Sequence, residues 1–162
     1  NKGIYFRGIS GKSSKGMKKL IHKINRTIRY LFYRNLNINE QIKIADYILD
    51  NNLLHLYWQM SKADRQHSYE VFKRTYKKSD DKELLLLSLL HDIGKSKINA
   101  GLFFRVFCDL GIIKNKKSEV YLNHEITGLE VLQENKINSN IINYYKNNLL
   151  KQKHILLDKT DY

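Results

Sequence analysis

The sequence predicts an all-α fold of a single domain, and three observations carry that prediction. Apolar residues recur at spacings of three and four along most of the chain, the pattern of amphipathic helices. No proline occurs among the 162 residues, so the commonest helix breaker is missing. No segment alternates apolar and polar residues as a half-buried strand would, and no repeat period marks a solenoid. The length suits one domain, and 42% apolar residues argue against wholesale disorder. With 28% charged residues and no apolar run near the roughly 20 residues that span a bilayer, the chain does not read as an integral membrane protein.

The elements follow in order. Residues 1–16 are rich in Gly, Ser and Lys and nearly aperiodic, which marks a flexible basic tail or an expression remnant ahead of a natural start at Met17. Within them Gly8-Ile9-Ser10-Gly11-Lys12-Ser13 is only superficially a phosphate-binding loop, because its leading glycine is one residue too close and no strand precedes it. Met17, Leu20, Ile21, Ile24, Ile28, Leu31 and Phe32 share one face of an amphipathic helix, with the basic residues largely on the others. A helix over 39–50 is expected with Asn39 as its cap, then one over 53–60 with Leu54, Tyr57 and Trp58 as core anchors. Ser61-Lys62-Ala63-Asp64 reads as a capping box opening a helix through Tyr76, and Ser79-Asp80-Asp81 caps another through Lys95. Leu84 to Leu87, Leu89 and Leu90 make that helix apolar all round, as expected at the centre of a bundle. Further helices are expected over 100–110, 118–134, 139–148 and 152–162, with turns near Gly111 and over 135–138.

The formal charge is +13, and it is unevenly placed. All ten basic residues before Glu40 precede the first acid, so attraction to an anionic membrane surface or to nucleic acid belongs to residues 1–36. A helix packed on the domain with a solvated basic face is the alternative for the same segment. One cysteine, Cys108, permits no internal disulfide, and no secretory leader is evident; a cytoplasmic location follows as the expectation, with peripheral membrane association left open. Beside Phe103, Phe104 and Phe107, Cys108 reads as a core thiol rather than a nucleophile.

The chemistry concentrates at His91 and Asp92. A leucine-rich buried helix ending in two ionisable groups requires partners, because a buried polar group costs several kcal/mol unless it is paired or metal-bound. His67, His124 and Asp161 are the candidate partners. Imidazole with carboxylate suits Zn, Mn, Fe, Co or Ni better than a calcium-type site. The same residues could also form a hydrogen-bonded helix terminus without a metal. Neither His22 nor His55 has a constellation around it.

The order His67, then Leu89-Leu90-His91-Asp92-Ile93-Gly94-Lys95, then Asp161 resembles the signature of the HD-domain metal-dependent phosphohydrolases, in their HDIG-type branch. Residues 60–68 resemble the helix that supplies the first histidine, residues 123–128 the mid-domain histidine segment, and residues 157–161 the terminal aspartate segment. The resemblance covers about 54–162. It implies an HD-type helical bundle over 17–162 in which His67, His91, Asp92 and Asp161 ligate one divalent cation, drawn from Mn, Fe, Co, Ni, Zn and Mg.

The resemblance further implies hydrolysis of a nucleotide-like phosphate ester or anhydride, in which the cation acidifies a water and neutralises phosphoryl charge. Asp92 would position the water, Lys95 would offer a charge to the substrate phosphate, and His124 would contact phosphate or donate a proton. Members with two metals carry a further histidine between the last two motifs. Here the corresponding helix, 141–148, has none, so one metal is expected, unless His154 substitutes. Arg65 and Glu125 each have two readings, as pocket residues or as solvated charges. The rival to an enzyme is a non-catalytic HD-type module that binds a metal or ligand and acts as an adaptor through its basic N-terminal helix.

Overall fold

Most of the described α-helices begin where a side chain takes up backbone amides that the first turn leaves unpaired. The computed structural model describes residues 32–98, 100–109 and 111–162. The expected tail over 1–16 lies outside the described residues, as does all but the end of the amphipathic helix over 17–32. The described residues form nine α-helices, a 3₁₀ turn and a π turn, with no strand among them.

Helix α1, Ile38–Tyr47, is capped by Asn37 and not by Asn39. Asn37 Oδ1 accepts from the Glu40 amide at 3.0 Å, and Glu40 Oε2 accepts from the Asn37 amide at 2.9 Å. Glu40 supplies the reciprocal half of that box only at this register, which is why the start moves back. Asn37→Ala is expected to cost about 1 kcal/mol, read as a lower urea midpoint at unchanged slope. Asp50, expected to end this helix, instead caps α2, Asn51–Gln59, accepting from Leu53 N at 3.0 Å. Helix α3, Lys62–Tyr76, starts on Ser61 as expected, and α4, Lys82–Leu90, starts on Asp81.

Helix α4 is the centre of the bundle. Leu84, Leu85, Leu87, Leu89 and Leu90 are each at most 2% exposed. They pack into one core with Ile44 and Ile48, Leu53 and Tyr57, Val71 and Phe72, Val131 and Leu132. Of the expected anchors in α2, Tyr57 is in this core, while Leu54 and Trp58 pack at its margin. The helix stops at Leu90, short of the expected Lys95, and a 3₁₀ turn covers Ile93–Lys97. Gly94 shows why. A Cβ there would collide with the His124 carbonyl oxygen and come 2.5 Å from Gly128 N. Its role is close approach of two backbones rather than access to a left-handed conformation.

Helix α5 spans Leu102–Asp109. Cys108 is buried with Ile98, Tyr121 and Phe104, matching the core-thiol reading, although Phe103 and Phe107 face solvent. The single helix expected over 118–134 is two, α6 Lys116–Leu122 and α7 His124–Glu134. At the break, the Asn123 carbonyl accepts from Ile126 and Thr127 at 3.0 and 3.1 Å and so begins the second helix. Helix α8, Ser139–Tyr145, runs into a π turn, Lys146–Lys151, and α9, Ile155–Thr160, ends the described chain with Asp161 and Tyr162.

Candidate metal centre

The 3₁₀ turn after α4, the middle of α3, the start of α7 and the end of α9 meet at one end of the bundle. Helix α9 is held on α3 by polar clamps. Thr75 Oγ1 and Thr160 Oγ1 are 2.9 Å apart, and Arg74 donates to Thr160 O at 2.7 Å and Tyr162 O at 3.0 Å. These clamps bring Asp161 back over α3, 94 residues from His67, with His67 Nε2 3.0 Å from Asp161 Oδ1.

His91 completes a triad. Its Nε2 is 3.6 Å from Asp161 Oδ1, and one ligand atom from each of His67, His91 and Asp161 fits within 4.8 Å of the others. His67 and His91 are buried and Asp161 is half-buried. The fourth expected ligand, Asp92, lies alongside: its Oδ2 is 3.8 Å from His91 Nε2 but 2.6 Å from Lys95 Nζ. Asp92 Oδ1 is 3.1 Å from His124 Nε2. Lys95 is 2% exposed, so here its ammonium faces the Asp92 carboxylate rather than solvent.

The tautomers are set by backbone carbonyls. Ser88 O lies 2.9 Å from His91 Nδ1, and a carbonyl can only accept, so Nδ1 carries the proton and Nε2 presents a lone pair. That Nε2 is buried without a hydrogen-bond partner. Tyr121 O lies 2.9 Å from His124 Nδ1 in the same way.

Charge at the centre is strongly coupled. Burial acts to raise the Asp92 carboxyl, but Lys95 and then His91 hold it well below its ordinary value. Burial likewise opposes ionisation of Asp161, and His91 and His67 overcome it. Burial lowers His67 against the Asp161 hydrogen bond, whereas His91, despite burial, is raised by Asp92 and Asp161. Two imidazoles and a carboxylate converge here in a group that could hold a metal ion.

Three participants were not legible as such in the sequence. Asp64, read only as part of a cap, is fully buried and takes a bidentate pair from Arg105 of α5, with Nη2 2.7 Å from Oδ2. A lone arginine within an aromatic, apolar segment is the signal that could have found this pair. Lys153 donates to Asp161 Oδ2 at 2.8 Å and stands 4.0 Å from Glu125 Oε1; nothing in the sequence marks it. Arg65 instead donates to Trp58 O and lies 5.3 Å over the Trp58 ring. His154 Nδ1 caps α9, accepting from Leu156 N at 3.2 Å, and His55 pairs with Gln59 on the surface.

No helix among the described residues is long and apolar enough to cross a membrane. A scan of protein-family models and searches of curated proteins and of solved structures return no match for this chain.

Proposed function

We propose that the chain is a metal-dependent phosphohydrolase of the HD type, cleaving a nucleotide-like phosphate ester or anhydride. The observation that carries the proposal is the buried, unpartnered Nε2 of His91. A buried lone pair without a donor costs about 1–3 kcal/mol, and a cation shared with His67 and Asp161 removes that cost. His67, His91 and Asp161 would hold the cation, with Asp92 beside them.

A bound divalent cation supplies neutralisation of phosphoryl charge and acidification of a water. The remaining work falls to the chain's own residues. The ionised Asp92 carboxylate orients the attacking water by accepting a hydrogen bond from it. Lys95 keeps that carboxylate ionised and in place through the 2.6 Å contact, so we assign it to positioning Asp92 as well as to the field felt by phosphate. His124, its Nδ1 against Tyr121 O and its Nε2 3.1 Å from Asp92 Oδ1, would contact the phosphate or pass a proton to the leaving oxygen.

Elemental analysis after reconstitution with Mn, Fe, Co, Ni or Zn is the test. About one ion per chain is expected, and His91→Ala/Asp161→Ala should lose it. Unchanged occupancy in that variant would sink the assignment. Full occupancy with no turnover on nucleotides, cyclic dinucleotides or dinucleoside polyphosphates would favour a non-catalytic adaptor.

A further inference from the structure

A cavity of about 290 Å³ is lined by Asn147, Asn148, Gln152, Lys153, His154 and Ile155, of which Lys153 contacts Asp161 of the candidate metal centre. Its wall is the π turn Lys146–Lys151 and the residues after it. π turns are rare and cluster at functional sites because the wider ring redirects side chains and carbonyls. The cavity falls where the sequence lacks the further histidine of two-metal enzymes, and amides occupy that position instead.

Two properties of this cavity point to its ligand. No carboxylate lines it, and its one charged side chain is cationic. That cation also connects the cavity to the metal centre, since Lys153 Nζ donates to Asp161 Oδ2 at 2.8 Å. Asp161 takes one of the three ammonium donors, and Glu125 Oε1 at 4.0 Å is beyond hydrogen-bond reach. The ammonium therefore retains donor capacity at the border between the triad and the cavity.

We infer that Lys153 binds a phosphate oxygen of the ligand and that the amide-lined cavity receives the polar organic group attached to it. The inference rests on the phosphohydrolase reading and adds the residues that select the ligand. The Asn147 and Gln152 amides offer neutral donors and acceptors suited to hydroxyls or a heterocycle edge, and they disfavour the acyl chain of a phospholipid, which would strand them without partners.

Calorimetry on the full chain loaded with Mn²⁺ tests this, with inorganic phosphate and AMP as probes. Wild type should bind both, AMP more tightly. Lys153→Met should weaken both by tenfold or more while Mn²⁺ affinity is retained or rises, because Asp161 loses a competing cation. Lys153→Arg should restore most of the phosphate affinity. Asn147→Asp, at an exposed position away from Asp161, should weaken AMP severalfold by placing a like charge in the cavity. Phosphate and AMP bound equally by wild type and Lys153→Met, or no binding of either to the Mn²⁺-loaded wild type, would overturn the inference alone. Failure of wild type to bind Mn²⁺ would overturn the phosphohydrolase reading, and this inference with it.

Discussion

Asp92→Asn is expected to lower metal-dependent turnover by about two to three orders of magnitude, the range for loss of one group that positions and stabilises the reacting centre. The carboxamide keeps the shape and still accepts from Lys95, but it carries no charge to hold the attacking water. Sequence reasoning alone expects little change in fold. The structure revises that, because Asp92 Oδ2 is 2.6 Å from a Lys95 ammonium that is itself 2% exposed. Neutralising one member leaves the other charge buried and less compensated, so the variant should also be less stable. Asp92→Asn/Lys95→Met separates the two effects: stability should recover, while turnover should not. Turnover restored in the double variant would assign Asp92 a structural role only.

Arg105→Leu is expected to cost about 3–5 kcal/mol, the penalty for removing one partner of a buried ion pair. It strands the Asp64 carboxylate, which is 0% exposed, and detaches α5 from the start of α3. Burial acts to raise the Asp64 carboxyl, and Arg105 overcomes this to hold it below its ordinary value. The sign of the pH effect follows. Because the folded value is depressed, the pair's contribution is fully present above the unfolded value of about 3.9 and is lost as pH falls below it. Asp64→Leu/Arg105→Leu should lose that acid-sensitive component and regain most of the stability lost in the single variant. Urea midpoints of the three proteins between pH 7 and pH 3 decide it. A single-variant cost under about 1 kcal/mol would show that the pair does not anchor α5.

The residues of the candidate site were largely legible, and their roles were less so. His67, His91, Asp92, His124 and Asp161 were each singled out from the sequence, and the structure brings all five to one end of the bundle. What spacing could not give was pairing. Asp92 and Lys95 are three residues apart in a 3₁₀ turn, so their side chains meet there. Extending α4 through Lys95 obscured that turn, because nothing local to Gly94 announces the approach of α7. The break at Asn123 is likewise concealed by a continuous helical period over 118–134.

The all-α class, the central leucine helix and the Ser61 and Asp81 caps were determined by the sequence itself, because periodicity and capping act within a few residues. Where Asp161 lands relative to His67, that Arg105 neutralises Asp64, and that Lys153 reaches Asp161 were decided only by the tertiary structure. Two of these contacts join groups 94 and 41 residues apart, and the third closes an eight-residue span across α9; their energies arise from shared burial once helices pack. No local pattern records them. The unpartnered Nε2 of His91 belongs to this second kind: His91 is visible in the sequence, but its tautomer and burial exist only in the assembled bundle.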